Sequence, residues 1–212
     1  MTLRADAQLG TLRRLVHALL GEVPAGGDPV LVLPGPRWVP EPHAEDALAS
    51  VLRADPALDA AVGWWRWSDA PAGPSTVRLG GNAGDDLALV DLLARPMSVG
   101  PMAIRARALP ALAALRDAPA DSVLDAASTW VLAATLVGSG LRVGALSRTC
   151  ATRTRTLAED PEALRPIGLG WLVEFVLSHL PESGVSTETR RELLARWSAA
   201  PRIAPRPAER TP

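Results

Sequence analysis

The chain has 212 residues, 48% of them hydrophobic, which is enough to bury the core of one domain of ordinary size. The formal net charge is -1 and the sequence pI is about 6.3, so no overall positive field predicts binding to nucleic acid. No apolar run reaches the roughly 20 residues that span a bilayer, which argues against a membrane span. The N-terminus lacks an apolar signal core, and the lone Cys150 cannot form an internal disulfide. Together these features predict a cytoplasmic protein.

The first part of the chain alternates helical and strand patterns. Apolar residues recur at helical spacing from Gln8 to Leu20, which predicts an amphipathic helix. The continuous apolar run from Pro29 to Leu33 is typical of a parallel strand that is covered on both faces. A helix is predicted over Glu41 to Arg53, and the segment "DAAVGWWRW" then favours a strand. This alternation indicates the α/β class.

The second part continues the alternation and ends in helices. Strands are predicted at "MSVGPMAIR" and "LRVGAL". One helix is predicted to start at Asp85 and Asp86 and to end at Pro96. Four more are predicted over Ala106 to Arg116, Ser122 to Val137, Gly168 to Leu180, and Thr187 to Ser198. We therefore predict an α/β domain over residues 1–160, a C-terminal helical extension over residues 161–199 that packs on it, and a disordered Pro-rich tail over residues 200–212.

Three segments in this order resemble a family 2 glycosyltransferase with the GT-A, nucleotide-diphospho-sugar transferase fold. They are "VLVLPGPRWVPEPHAEDALASVLRADPALDAAVGWW", "MSVGPMAIRARAL" and "STWVLAATLVGSGLRV", and the resemblance covers roughly Gly10 to Arg155. It implies a Rossmann-like mixed sheet flanked by helices. The strand-helix-strand unit that precedes the first segment in the family has little counterpart ahead of Pro34, so we expect a GT-A-like domain that is shortened at its N-terminus, with added C-terminal helices.

The chain departs from the family at both positions that carry its chemistry. In the family, an Asp-x-Asp motif holds a divalent cation against the diphosphate, and Pro34, Gly35 and Pro36 stand at those positions here. The aspartate of a Glu-Asp pair is the family's general base, and Ser128 and Thr129 stand there. Proline and glycine have no side-chain oxygen, and a hydroxyl is a poor base at neutral pH. The departures predict loss of the family's metal site and base.

Asp125 is the best candidate for a replacement base. If the helix predicted from Ser122 is continuous, Asp125 lies one turn before Thr129 and on the same face. The structural alternative is that Asp125 and Asp121 favour a helix N-terminus, and Asp85 and Asp86 have the same ambiguity.

Tryptophan and arginine side chains are the remaining candidates for contact with a ligand or partner. In the segment "GWWRW", strict alternation places Trp65 and Trp67 on one face and Trp64 and Arg66 on the other, so one face is expected to be core and the other an interface or ligand wall. The full set of candidates is Trp38, Trp64, Trp65, Arg66, Trp67, Arg105, Arg148, Arg153 and Arg155. The last three follow the predicted returning strand, where they bind an anion or lie in a solvated loop.

These observations leave three hypotheses for the function. The first is a degenerate glycosyltransferase-like protein that is a non-catalytic accessory subunit, in a homodimer or in a complex with an active biosynthetic enzyme. The second is a divergent metal-independent glycosyltransferase, or a different reaction on the same fold. The third is a sugar-binding module built on the tryptophans. His17, His43 and His179 show no metal-ligand spacing, and we expect no cofactor, no metal and no nucleic-acid partner, with a sugar or sugar nucleotide as the alternative ligand.

Overall fold

The computed structural model describes residues 12–21, 29–32, 38–67, 86–94, 99–121, 124–125, 127–153, 166–180, 186–188, 190–192 and 195. The protein has a mixed α/β fold in which helices pack on both faces of a five-stranded sheet. The helices are α1 (Leu12–Gly21), α2 (Ala44–Ala54), α3 (Leu89–Ala94), a 3-10 helix (Ala106–Leu115), α4 (Ser128–Gly138) and α5 (Pro166–His179). The strands are β1 (Val30–Val32), β2 (Trp38–Pro40), β3 (Ala60–Trp67), β4 (Met102–Ile104) and β5 (Val143–Arg153).

The strands of the sheet follow the order β1-β4-β3-β5-β2. The central pair, β3 and β5, is parallel, whereas β4 is antiparallel to both β1 and β3, and β2 is antiparallel to β5. Within the described residues β1 therefore lies at one edge of the sheet and β2 at the other. The prediction of a parallel strand at Pro29 to Leu33 was wrong, because a continuous apolar run reports only that both faces of a strand are covered.

Two hydrophobic clusters lie on opposite faces of the sheet. Successive residues of β1 point to opposite faces, so Val30 and Val32 join the larger cluster, which includes residues of α1, α3, α4, α5 and the 3-10 helix. Leu31 joins the smaller cluster, where it packs with Leu48 and Leu52 of α2 and with Ala61 of β3. The sheet is thus covered by one helix on one side and by several on the other.

Two predicted helix starts were wrong. Helix α3 begins at Leu89, not at Asp85 or Asp86, because Asp86 forms a bridge with Gly144 of β5 and the Leu87 N–H donates to the Val143 carbonyl. Helix α2 begins at Ala44 instead of Glu41, whose N–H donates to the Cys150 carbonyl at 2.9 Å. Backbone bonds to β5 thus hold the start of each segment outside the helix that follows.

The helix predicted from Ser122 is interrupted, and α4 begins only at Ser128. Leu124 and Asp125 form a separate helical turn, in which the Leu124 N–H donates to the Asp121 carboxylate at 3.3 Å. The helix ends as predicted, since α4 stops at Gly138 and Gly140 adopts a φ of 81°, the left-handed conformation that glycine allows.

The C-terminal part adds helix α5 to the core. Helix α5 supplies Leu172, Val173 and Val176 to the larger cluster, and the close approach of Leu180 to Gly138 leaves no room for a Cβ there. Residues 187–188, 190–192 and 195 are helical, as predicted, and the predicted tail at 200–212 lies outside the described residues. In the described part of the chain, every helix is too short or too polar to cross a membrane.

Candidate functional site

The carboxyl ends of β3 and β5 are the natural place to look for a site, because α/β proteins commonly bind ligands where parallel strands end. Trp38 of β2 and Trp65 of β3 meet there in an edge-to-face contact, with ring centroids 5.2 Å apart and planes at 67°. Ala151 of β5 completes this small cluster. Both indoles are buried, so they join β2 to β3 as core residues.

Glu41 ties three chain segments together beside the tryptophans. Its Oε1 accepts hydrogen bonds from Arg66 Nη2 at 3.3 Å and from Thr152 Oγ1 at 3.0 Å. Close by in the chain, the His43 ring Nε2 lies 3.1 Å from the Thr149 carbonyl oxygen. The carboxylate thus links the start of α2 to β3 and β5 through charge-assisted bonds.

Trp64 and Trp65 of "GWWRW" are both buried, at 8% and 7% exposure. The pairing of β3 with β5 shifts register on both sides of Trp64, and the extra residues lie on β5. Both faces of the sheet are covered, so two neighbouring residues can be buried on opposite faces. Neither indole therefore offers an exposed face to a ligand or partner, and the side chain of Trp67 lies outside the described part.

A close packing of Gly63 against Cys150 lies below the tryptophans. A Cβ at Gly63 would lie 2.4 Å from the Cys150 Sγ, so only glycine fits at this point of β3. Burial raises the pKa of the Cys150 thiol to about 11, with a smaller opposing effect of Arg148. A neutral buried thiol of this kind is a packing group, since nucleophilic cysteines have lowered pKa values.

Two of the predicted anion-binding arginines lie within a strand. β5 extends to Arg153, so Arg148 and Arg153 belong to the sheet, and the prediction that they follow the strand was wrong. The physical reason is that β5 pairs with β3 and with β2, whose Trp38 is the register partner of Arg153. Arg148 is exposed, and Arg155 lies outside the described residues.

The opposite ends of β3 and β5 carry a network of charged side chains. The buried Asp59 carboxylate accepts from Arg107 Nε at 2.8 Å and from the Arg142 N–H at 3.0 Å. The exposed Arg142 guanidinium in turn reaches Asp86 at 2.8 Å and Asp55 at 3.2 Å. The network joins the loop after α2, the 3-10 helix and the start of β5.

Arg105 lines a groove between α2 and β1, and its guanidinium is engaged there by main-chain carbonyls. Its guanidinium donates to the Leu58 carbonyl at 2.9 Å and also to the Leu52 carbonyl near the end of α2. The last carbonyls of a helix lack partners within the helix, and a cation satisfies them well. The geometry gives Arg105 the role of holding the C-terminus of α2.

The start of α4 carries Ser128 and Thr129, and Asp125 lies just before it. Ser128 and Thr129 are buried, at 5% and 2% exposure, and Thr129 Oγ1 donates to the Val99 carbonyl at 3.2 Å. Asp125 Oδ1 accepts the N–H of Leu12, the first described residue of α1, at 2.8 Å. Burial raises the pKa of the Asp125 carboxyl, while the Leu12 N–H opposes the rise. Asp125 precedes α4, so the prediction that it shares a helical face with Thr129 was wrong.

Two further predictions concern metal ligands. Pro34, Gly35 and Pro36 lie outside the described residues. Among the residues that the structure does describe, no group of three or more histidine, cysteine, aspartate or glutamate side chains has the arrangement that could hold a metal ion.

Comparison with known proteins identifies the fold. No family model and no curated protein matches this chain. Among solved structures, the crystal structure of S. aureus TarS 1-349 is similar, with a TM-score of 0.53 and 13% identity. TarS is a GT-A-like glycosyltransferase. The fold is glycosyltransferase-like. The match covers 90% of this chain but 51% of the TarS chain, so the chain spans about half of the length of the structure that it matches.

Sequence reasoning missed the residues that join the segments of this glycosyltransferase-like fold. Glu41 was assigned to a helix start, although it binds Arg66 and Thr152, and neither Asp59 nor Arg107 was singled out. The available signal was weak: an aspartate directly before the apolar "AAV" of a strand is unusual in a buried position unless an arginine pairs with it.

Proposed function

We propose that this chain is a non-catalytic, glycosyltransferase-like subunit that acts in the cytoplasm by binding a protein partner. The proposal takes the similarity of fold as its starting point. It carries over none of the activity of TarS, because fold alone does not determine function and the chain spans about half of that structure.

The burial of Ser128 and Thr129 carries the proposal. These residues align with the pair that provides the general base in family 2 enzymes, and both are packed into the protein. The Thr129 hydroxyl donates to a main-chain carbonyl, so its proton already has an acceptor within the fold. A buried hydroxyl with this bond neither meets an acceptor substrate nor removes its proton.

The residues at the Asp-x-Asp positions support the same conclusion. Pro34, Gly35 and Pro36 have no side-chain oxygen with which to bind a divalent cation. We infer that metal-assisted departure of a nucleoside diphosphate is lost together with the base. What remains of the fold is a surface on which a partner can bind.

Binding of sugar nucleotides in the presence and absence of manganese tests this proposal. We expect calorimetry with a panel of uridine, guanosine and thymidine diphosphate sugars to give no metal-dependent binding. We also expect no release of nucleoside diphosphate when simple sugar acceptors are added. Metal-dependent tight binding, or turnover that requires manganese, would contradict the proposal.

One observation favours a second candidate, the metal-independent transferase with Asp125 as its base. A raised pKa is a property that a general base needs, and the Asp125 carboxyl has one. Turnover without metal that is abolished in Asp125→Asn, but retained in an Asp121→Asn control, would support this candidate. The buried state of Trp38, Trp64 and Trp65 leaves the sugar-binding module without its expected surface.

A further inference from the structure

We propose that the partner is a second copy of this chain, which pairs through β1 and the adjoining groove beside α2. The inference deepens the proposed function and rests on it, because it identifies the partner of the non-catalytic subunit. It concerns the edge of the sheet that β1 forms in the described part of the chain. Three features favour this pairing: the edge strand β1, the groove next to it and the symmetry of the two.

The two edges of the sheet differ in their protection against pairing. β2 contains Pro40, which has no N–H to donate to another strand, and its Val39 is 59% exposed. β1 consists of Val30, Leu31 and Val32, with neither a proline nor a charge to discourage an added strand. Within the described residues, β1 pairs on one side only, with β4. β1 is thus the edge that is open to another chain.

A groove of about 290 Å³ lies next to this edge, between α2 and the strands β1 and β4. Leu31, Ala103 and Leu52 contribute its apolar lining. Three charged side chains of α2 line it and are exposed: Glu45 and Asp46 lie in the first turn of the helix, and Arg53 lies in the last. Arg105, which binds the Leu52 carbonyl near the end of α2, adds a second positive charge at the basic end. The groove therefore has an acidic end and a basic end.

This separation of charge is self-complementary. A closed dimer uses the same patch on both copies, so each feature must suit its own image under a two-fold rotation. Antiparallel pairing of β1 with the second β1 about Leu31 places the two α2 helices in opposite directions. The acidic end of one groove then lies beside the basic end of the other, and the two sheets form one continuous sheet.

Light scattering after gel filtration, at several protein concentrations and salt concentrations, is the first test. We expect a dimer that weakens as salt is raised, because complementary exposed charges are screened. Reversal of either end, by Glu45→Arg with Asp46→Arg or by Arg53→Glu, is expected to weaken dimerisation by about fivefold to tenfold. An equimolar mixture of the two variants is expected to recover the affinity as a heterodimer. The matched control is Arg116→Glu, an exposed reversal just after the 3-10 helix that should leave dimerisation unchanged.

A cross-link tests the strand register independently of the charges. In a Cys150→Ala background, Leu31→Cys should form a disulfide-linked dimer under mild oxidation, since directly opposed residues of antiparallel strands have Cα atoms about 4.5 to 5.5 Å apart, which a disulfide can span. A chain that stays monomeric, or dimerises without any response to the three charge reversals, overturns this inference while the proposed function stands. Manganese-dependent sugar-nucleotide turnover by a dimer with the expected charge response contradicts only the proposed function.

Discussion

The two ends of the parallel β3–β5 pair are stabilised by different kinds of interaction. At the amino end, the largely buried Asp59 forms an ion pair with the exposed Arg107. Arg142 forms further ion pairs with Asp55 and Asp86. At the carboxyl end, Trp38 packs on Trp65, and among the described side chains Glu41 and Arg66 form an ion pair beside them. The amino end is thus joined by polar bonds over long chain separations, and the carboxyl end by close packing.

This difference bears on function, because ligands of α/β proteins commonly bind at the carboxyl ends of parallel strands. Here that end is filled by indoles and by the contact of Gly63 with Cys150. The polar groups that the described residues bring together are concentrated at the other end, where they satisfy each other and the main chain. Both ends therefore contribute to stability.

Removal of the buried carboxylate at the amino end should have the largest effect. Asp59→Ala is expected to lower the free energy of unfolding by about 3 to 4 kcal/mol, because the Arg142 N–H and the Arg107 guanidinium lose a shared acceptor. Urea denaturation followed by tryptophan fluorescence measures the change. The control Asp86→Ala removes a carboxylate that is 44% exposed and should cost less than about 1 kcal/mol. Equal losses in the two variants would remove the distinction between buried and exposed members of the network.

The packing at the carboxyl end should be nearly as sensitive to a single methyl group. Gly63→Ala is expected to destabilise the protein by about 3 kcal/mol, because the new Cβ would lie 2.4 Å from the Cys150 Sγ and 2.6 Å from its Cβ. Denaturation of the double variant Gly63→Ala/Cys150→Gly completes a mutant cycle. We expect the second substitution to recover part of the loss, as contacting residues couple. Additive losses would mean that the two residues do not compete for space.

Local sequence patterns predicted the elements that depend on hydrophobic spacing. The amphipathic run before Gly21 and the apolar segments at Val30 and at Met102 gave α1, β1 and β4, because burial of a face imposes a period on the sequence. Strand direction could not be obtained in this way, since an apolar run has the same composition in parallel and antiparallel pairs.

Predictions failed where bonds between distant segments override local preference. An aspartate such as Asp86 is typical of a helix start, but the ion pair of Asp86 with Arg142 and its bridge to Gly144 hold it beside β5. Glu41 is likewise held by Arg66 and Thr152. None of these partners lies within one helical turn in the sequence, so a pattern of short period does not contain them.

Alkaline pH offers a way to probe the carboxyl end alone. The chain contains no tyrosine and no lysine, so among its side chains only Cys150 titrates between pH 9 and pH 11. Burial raises the thiol pKa from 9.0 to about 11, and the folded protein therefore holds more protons than the unfolded chain in that window. The free energy of unfolding should consequently fall, by about 2 to 3 kcal/mol, as pH rises through it.

The stability of wild type and Cys150→Ala across this range is the corresponding measurement. In the variant, the fall between pH 9 and pH 11 should disappear, whatever its stability at neutral pH. A slope that persists without the thiol would assign the alkaline loss to another group and would mean that Cys150 is not held neutral by burial.

The smallest expected effect separates the two roles of Asp125. As the acceptor for the Leu12 N–H at the start of α1, the side chain needs an oxygen but not a charge. Asp125→Ala should therefore cost about 1 kcal/mol, whereas Asp125→Asn keeps an amide oxygen in place. Because burial raises the carboxyl pKa, the folded protein binds this proton more tightly than the unfolded chain. Wild-type stability should then fall as pH rises above 3.8 toward the raised pKa, and the asparagine variant should lack that fall.

At neutral pH, Asp125→Asn is accordingly expected to equal or exceed the wild type in stability, by less than about 1 kcal/mol, in thermal and urea denaturation. A structural acceptor tolerates this exchange, whereas a general base does not, because an amide cannot take a proton from a hydroxyl group. An asparagine variant that is as unstable as Asp125→Ala would mean that the charge itself is needed at the start of α1. In that case, a cation that binds the ionised Asp125 carboxylate would have to oppose the rise in its pKa that burial causes.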